Sequence, residues 1–207
     1  LTLLGCASAL TLTDYLKSLI RRSGFDVAGV HDKKSLEEKL LQLQNADDTL
    51  DVGVMMFDMN NLKMINDTYG HEEGDVFIQT FASYLTRILT EDSFLARFGG
   101  DEFVIVVPPE SIARFDGIVE EIKEIFSKPW FLKNADYYCT MSMGICYFPE
   151  DGSSVQDLIK KADIAMYEAK KSGKNRVAVY SDNISSTSNK RLDMEKNMRD
   201  ATAGDYK

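Results

Sequence analysis

The chain has 207 residues and a formal net charge of −9. That length accommodates one well-buried domain with extensions, and no apolar run is long enough to span a bilayer. The acidic balance argues against a nucleic-acid partner, because non-specific binding of nucleic acid needs a basic surface. An acidic site can still hold Mg²⁺, which in turn binds the phosphates of a nucleotide.

Apolar periodicity predicts alternating helices and strands. Residues 8–24 are predicted to be helical, and Ser35 to Gln44 a second helix capped by Ser35 with Glu38. The further predicted strands are 52–57, 94–97, 103–107, 130–132, 137–148 and 175–180, and the further predicted helices begin near residues 74, 112 and 154. This order predicts an α/β sandwich, with a central mixed five-stranded sheet flanked by helices.

The two ends of the chain are predicted to lie outside the domain, which we place at residues 26–180. Residues 181–207 are expected to be a polar linker that leads into a further helix at 191–203. Residues 1–25 are expected to be a linker helix from a missing upstream region, since the chain starts at Leu1 rather than Met. Two alternatives stay open for this apolar start. One is the end of a transmembrane helix that anchors the full-length protein in the inner membrane, with the domain in the cytoplasm. The other is a lipoprotein cleavage site at Leu4-Gly5-Cys6, without the basic start that such a signal needs.

The cysteines and histidines argue against disulfide and zinc chemistry. Cys6, Cys139 and Cys146 are odd in number, and the last two lie in one apolar, strand-like stretch. We therefore expect reduced thiols in a reducing compartment. His31 and His71 are isolated, so the spacing of a zinc site is missing.

Asp58 is the first candidate for chemistry, because it directly follows the apolar strand 52–57. A carboxylate at the tip of a buried strand suits a metal site or a catalytic acid. The same position suits a helix N-cap, which aspartate also favours, and the spacing alone favours the cap.

Residues 97–103 are predicted to form the tip of a β-hairpin. Gly99 and Gly100 suit the turn, because glycine adopts a positive φ without steric cost, and Asp101 and Glu102 follow at once. Taken alone, this pattern leaves open an acidic turn in solvent or a functional pair of acids.

Several motifs, taken in order, resemble the GGDEF family, the diguanylate cyclases. Residues 97–103 resemble the family's signature, and residues 57–63 resemble the strand tip that carries its aspartate. Other stretches resemble its following loop, its late strand, its closing motif and, in degraded form, its first motif: residues 65–71 with 74–75, 141–145, 162–170 with 173–175, and 26–33. Ordered motifs over about residues 26–180 are far more specific than any one motif alone. The resemblance implies a palm-like nucleotide-cyclase fold with the hairpin at the active site.

The resemblance also implies an activity. Members of the family join two GTP molecules into cyclic di-GMP and release two pyrophosphates. Two domains meet face to face, so a homodimer is expected, and the 3′-hydroxyl of each GTP attacks the α-phosphate of the other. Mg²⁺ is the implied cofactor, with Mn²⁺ as an alternative. Its implied ligands are Asp58, Asp101 and the carbonyl of Met59, all hard oxygen donors.

The remaining site residues are implied by the resemblance in the same way. Glu102 is expected to polarise the attacking hydroxyl, and Arg97 and Lys63 join the two aspartates as catalytic residues. The glycines of the hairpin are expected to let the backbone approach the nucleotide, and an amide and a carboxylate are expected to read guanine. The implied substrate-binding residues are Gly99 and Gly100 at the hairpin, Asn66 and Asp75 at the base, and Lys63, Lys170 and Lys174 at the phosphates.

Four positions depart from the family's pattern. Asn60 stands where many members have a second aspartate, but that position is not an implied ligand. Lys174 replaces the usual arginine, which keeps the charge and loses the bidentate fork. Thr90 and Ser93 replace the Arg and Asp of the product-inhibition site, and neither can pair with phosphate or guanine as those residues would. We expect no product inhibition through that site.

Residues 191–201 resemble the lead-in helix of an EAL phosphodiesterase domain, although an ordinary amphipathic tail stays equally open. A C-terminal EAL domain in the full-length protein would give a second hypothesis: a catalytically silent GTP-binding module that controls the phosphodiesterase. The complete signature at residues 99–103, together with Asp58, favours the enzyme. A product receptor is disfavoured by Thr90 and Ser93.

Overall fold

The computed structural model describes residues 29–46, 51–132, 135–173 and 175–184. Short strands and helices alternate along these ranges, as the periodicity predicts. The strands are β1 (Val30–His31), β2 (Val52–Asn60), β3 (Phe94–Arg97), β4 (Glu102–Val107), β5 (Trp130–Leu132), β6 (Ala135–Tyr137), β7 (Thr140–Phe148) and β8 (Arg176–Val179). The helices are α1 (Lys33–Ala46), α2 (Leu62–Tyr69), α3 (His71–Ile88), α4 (Phe115–Ser127) and α5 (Val155–Lys171), with a 3₁₀ helix at Pro109–Arg114.

Within these ranges, six strands form one mixed sheet in the order β1-β3-β4-β2-β7-β8. The two central neighbours of β2, which are β4 and β7, run antiparallel to it, and the edge pairs β1–β3 and β7–β8 are parallel. The predicted fold class is therefore confirmed, with six strands rather than five. The sixth strand is β1, whose two residues are too short to produce a periodic apolar pattern.

The central strand β2 separates two hydrophobic cores. All nine of its residues are buried, because helices cover the sheet on both faces. Alternate side chains point to opposite faces, so Met55 and Phe57 join the core under α3 and α4, while Val54 and Met56 join the core under α1 and α5. The continuous apolar run in the sequence is the result of this two-sided burial.

Three local predictions are wrong. Residues 62–69, where the sequence predicted no helix, form the short helix α2, which Gly70 ends with a φ of 92°. The predicted strand 137–148 is divided: β6 pairs with β5 in a separate ribbon, and β7 belongs to the main sheet. The cap of α1 is Asp32 rather than Ser35, since the Asp32 carboxylate accepts from the Ser35 N–H at 2.8 Å.

Helix α5 lies against β7 with backbone touching backbone. A Cβ added to Gly144 in β7 would collide with the carbonyl oxygen of Ala162 and the backbone nitrogen of Met166. Only glycine permits this approach, which fixes the height of α5 above the sheet. The predicted N-cap of this helix is confirmed, because the Ser154 hydroxyl accepts from the Asp157 N–H at 3.2 Å.

Cys139 and Cys146 are free, buried thiols, as expected. Burial raises the pKa of each to about 12, so both stay protonated. Cys6, the linker helix before residue 26 and the tail helix at 191–203 lie outside the described residues. Among the helices that the structure describes, we find none long and apolar enough to cross a membrane.

Candidate functional site

The site lies where β2 ends beside the start of β4. Asp58 in β2 is paired in register with Glu102 in β4, which places their backbones side by side. The N–H of Met59 donates to the carbonyl oxygen of Asp101 at 3.1 Å. Asp58 is a strand residue, so the alternative of a helix N-cap is excluded; the N-cap position of α2 is Asn61. The backbones of Asp58, Asp101 and Glu102 thus lie together at one end of the two central strands.

A lysine from the opposite side of the site meets these acids. Lys170, in the last turn of α5, places its Nζ 2.8 Å from Oδ2 of Asp58. The Asp58 side chain is only 12% exposed, and that of Lys170 is 31% exposed. The contact of α5 with β7 at Gly144 sets the distance from which Lys170 reaches the acids.

The acids repel one another. Burial raises the pKa of Asp101, and the charge of Asp58 adds to that rise. Burial likewise raises the pKa of Glu102, with further contributions from Asp58 and from Asp163 on α5. Lys170 opposes both shifts. Arg97 also opposes the shift of Asp101. The acids of the cluster still outnumber these two cations, which favours binding of a further cation.

The hairpin is shaped by hydrogen bonds rather than by unusual glycine conformations. The N–H of Phe98 donates to the Glu102 carbonyl at 2.8 Å, and the Arg97 guanidinium donates to the carbonyls of Gly99 at 3.0 Å and Gly100 at 2.6 Å. Neither glycine has the positive φ that we predicted from the sequence. A Cβ at Gly99 would meet the end of the Glu102 side chain at 2.8 Å, so the Glu102 carboxylate would have to shift, whereas a Cβ at Gly100 would meet nothing within 4 Å.

Arg97 holds the turn. Its side chain folds back onto the hairpin backbone, and the charges of Asp75 and Asp101 favour its protonated form, although burial dominates and lowers its pKa. The sequence predicted a catalytic role for Arg97. In the structure its guanidinium donates to the backbone of the hairpin turn, and its catalytic role stays a prediction.

The two predicted guanine-reading residues lie on consecutive helices. Asn66 is in α2, and Asp75 is exposed near the start of α3. The Asn66 side chain occupies the space that a Cβ on Gly74 would fill, so that glycine admits the amide against α3. Lys63 is exposed on α2, and Lys174 lies outside the described residues.

Three features of the site were not predicted from the sequence. Asn60 donates from its side-chain amide to the Ser142 hydroxyl at 3.1 Å, and both residues are buried. Asn60 is thereby engaged within the sheet. The charge of Asp163 contributes to the raised pKa of Glu102. In the sequence, Asp163 is recognisable only as a polar residue on an amphipathic helix. In the sequence, Gly144 is one small residue within a predicted strand. A glycine in such a position is the signal that could have indicated the close approach of another backbone.

The expected product-inhibition site holds two hydroxyls that bond to each other. Oγ1 of Thr90 and Oγ of Ser93 are 2.6 Å apart. Asp92, between them, accepts from the Ser111 hydroxyl at 2.7 and 2.8 Å, which ties the loop to the 3₁₀ helix.

The donor set fits a Mg²⁺ ion. Asp58 and Asp101 supply hard oxygen ligands, their mutual repulsion would be relieved by a cation, and the Lys170 ammonium already lies against one of them. In the part of the chain that the structure describes, no three acidic, histidine or cysteine side chains converge on one point. Such an ion would complete its shell with backbone and phosphate oxygens, which is usual for Mg²⁺.

Comparison with known proteins gives one consistent family. The family described as "Diguanylate cyclase, GGDEF domain" matches residues 26–176. The chain is 30% identical over 194 residues to the signaling protein YkoW of Bacillus subtilis, covering 91% of this chain and 24% of that protein. It is 29% identical over 179 residues to the cyclic di-GMP phosphodiesterase PdeR of Escherichia coli, covering 86% of this chain and 27% of that protein. The chain thus spans about a quarter of the length of these curated relatives.

The fold is shared with solved structures. The GGDEF domain of TpbB, also called YfiN, from Pseudomonas aeruginosa superposes with a TM-score of 0.71 at 26% sequence identity, covering 76% of this chain and 94% of that one. The palm-like nucleotide-cyclase fold that the motifs implied is therefore present.

Proposed function

This chain belongs to the GGDEF family of diguanylate cyclase domains, and from that premise we propose that it condenses two GTP molecules into cyclic di-GMP and two pyrophosphates. The observation that carries the proposal is the group of Asp58, Asp101 and Glu102, with Lys170 2.8 Å from Asp58. Decayed members of the family usually lose these acids, and here the set is complete.

In the proposed reaction the acids hold the metal and the lysine contacts the phosphates. A bound Mg²⁺ would be held by Asp58, Asp101 and the Met59 carbonyl, and would offset charge on the phosphates and in the transition state. The Lys170 ammonium supplies a second positive charge at the same place, where it can pair with a phosphate oxygen. Asp101 and Glu102 must be ionised for these roles, so we expect the activity to fall as acidification protonates them.

Glu102 is the proposed partner of the attacking hydroxyl. Its raised pKa makes it a better proton acceptor than an ordinary carboxylate. Asn66 and Asp75 are the proposed readers of guanine, through an amide donor and a carboxylate acceptor. Each copy holds one GTP, so a full product requires two copies face to face. The proposed place of action is the cytoplasm, where GTP is available.

The direct test is product formation. The purified, dimeric protein is incubated with GTP and Mg²⁺, and cyclic di-GMP is measured by chromatography with mass detection. We expect product from the wild type, none from Asp101→Ala, and an unchanged rate from Asp67→Asn, an exposed acid on α2. Activity retained in Asp101→Ala would defeat the proposed metal role of that residue.

The second candidate is a catalytically silent GTP-binding module. It is favoured by the similarity to a phosphodiesterase whose length is about four times that of the matched region. In that case the module would bind GTP and regulate an adjacent EAL domain. GTP binding by the dimeric protein without any product would favour this candidate over the enzyme.

A further inference from the structure

Two aromatic contacts join the start of the domain to the signature hairpin. The edge strand β1 pairs with β3, the first strand of that hairpin. The His31 ring stacks on the Phe94 ring, with centroids 4.1 Å apart and planes 12° apart. The Lys33 Nζ lies 4.4 Å from the centroid of the Phe98 ring. Phe94 begins β3 and Phe98 directly follows it, so residues 31–33 contact the strand at both ends.

The backbone of Lys33 is held in place by the start of α1. It is the first residue of α1, directly after the cap Asp32, whose carboxylate accepts from the Ser35 N–H at 2.8 Å and whose carbonyl accepts from the Leu36 N–H at 3.0 Å. Leu36 is fully buried in the core beneath α1 and α5. The backbone of Lys33 is therefore held by the core, and its side chain extends over Phe98.

Phe98 is coupled in turn to the acids. Its N–H donates to the Glu102 carbonyl at 2.8 Å, and the Gly99 N–H donates to the same oxygen at 3.3 Å. The carbonyl of Asp101, inside this turn, accepts from Met59 of the central strand. A displacement of the Phe98 backbone therefore moves both the Asp101 carboxylate and the carbonyl that ties it to β2.

We propose that Lys33 is a positioning residue, which holds the Asp101–Glu102 turn in place by binding the face of Phe98, and that the His31–Phe94 stack supports the same strand from its other end. The catalytic consequence rests on the proposed cyclase function, whereas the positioning itself does not. A cation over an aromatic face at an exposed site changes an equilibrium by about two- to fivefold. This is the effect expected when the charge is removed.

The test measures the turn without nucleotide. Amide hydrogen exchange is followed in the full chain for Phe98 and Gly99, whose N–H groups close the turn. In Lys33→Met we expect exchange about two- to fivefold faster at both amides. The amide of Leu89, which bonds to Leu85 at the end of α3, should keep its rate. Lys33→Arg retains the cation and should exchange as the wild type does.

The matched control is Lys34→Met. Lys34 is the neighbouring lysine, its side chain is 83% exposed, and its ammonium lies 3.8 Å from the Glu38 carboxylate. Equal exchange at Phe98 in Lys33→Met and Lys34→Met would overturn the proposal. A second comparison uses the variant Phe98→Leu, which lacks the aromatic ring. Adding Lys33→Met to this variant should not accelerate amide exchange in the turn any further. A full effect of Lys33→Met in that background would show that the lysine acts elsewhere, and would also overturn it.

The activity arm separates this proposal from the proposed function. If the wild type forms cyclic di-GMP, Lys33→Met should lower the turnover rate about two- to fivefold, and Lys33→Arg should restore it. A wild type that forms no product would refute the cyclase while leaving the exchange result to decide on the positioning role. A turnover rate unchanged in Lys33→Met, despite faster exchange, would overturn the catalytic consequence.

Discussion

The Lys170 ammonium lies 2.8 Å from an oxygen of the Asp58 carboxylate, so the end of α5 supplies a counter-charge to the end of β2. This pair connects the two parts of the site, the acids of the sheet and the basic end of the helix. In the proposed reaction the same lysine serves the phosphates, and its charge therefore has two competing partners.

Lys170→Met should separate metal binding from catalysis. Without the ammonium, Mn²⁺ should bind roughly three- to tenfold more tightly, because the acids lose a competing cation. Product formation should fall by roughly a hundredfold, because a phosphate loses a charged partner. Mn²⁺ titration by electron paramagnetic resonance and initial rates measure the two effects. Lys160→Met, an exposed lysine of the same helix, is the control; weaker Mn²⁺ binding by Lys170→Met would contradict the expectation.

Asp101→Asn should stabilise the protein while it removes activity. Burial and Asp58 raise the pKa of this carboxyl group, so its contribution to stability is present below about pH 4 and is lost as the pH rises through the raised pKa. At pH 7 the ionised group costs stability. We therefore expect the free energy of unfolding at pH 7 to rise by about 0.5–1 kcal/mol, a gain that vanishes near pH 4. Urea unfolding at both pH values tests this, with Asp67→Asn as control.

Gly144→Ala should damage the fold far more than Gly100→Ala. The new methyl group at residue 144 would meet the backbone of α5, and overpacking of this kind costs about 2–3 kcal/mol. At residue 100 a methyl group meets nothing within 4 Å, so the free energy of unfolding should change by no more than about 0.5 kcal/mol. Urea unfolding of the two variants gives both values, and similar losses in the two would be inconsistent with the contact described here.

Added cyclic di-GMP should not inhibit the wild type through the loop at residues 90–93. Thr90 and Ser93 bond to each other and carry no charge for phosphate or guanine. The double variant Thr90→Arg/Ser93→Asp should bind cyclic di-GMP at least about tenfold more tightly, because it regains charge-assisted pairs. Calorimetric titration measures the affinity, with Thr90→Ala/Ser93→Ala as the uncharged control. Equal affinities in the two double variants would argue against this location for the inhibition site.

The sequence predicts the order of helices and strands well, because a strand that is buried on both faces has a continuous apolar run. The apolar run of β2 indicates a covered central strand, and the structure confirms it. The apolar stripe of α5 and its cap at Ser154 are likewise readable, since both depend on residues close in sequence. The division between β6 and β7 was missed, because strand partners are chosen by contacts distant in the chain.

The site is harder to predict from the sequence, because it too depends on contacts between residues that are distant in the chain. The role of Asp58 as a strand residue depends on its pairing with Glu102, 44 residues later by their numbers. The space beside Gly99 is limited by the Glu102 side chain, and Gly99 does not have a positive φ. The domain boundaries at residues 25 and 180 and the roles of the site residues stay predictions for the experiments above.

The contact at Gly144 has a mechanical consequence. Because α5 rests on β7 with no space between their backbones, the helix cannot slide toward or away from the sheet without breaking that contact. A transfer of the Lys170 ammonium from Asp58 to a different anion can therefore occur by rotation about the bonds of the lysine side chain, with α5 in place. The domain needs no hinge for this step, and the exchange can proceed on the fast timescale of side-chain rotation.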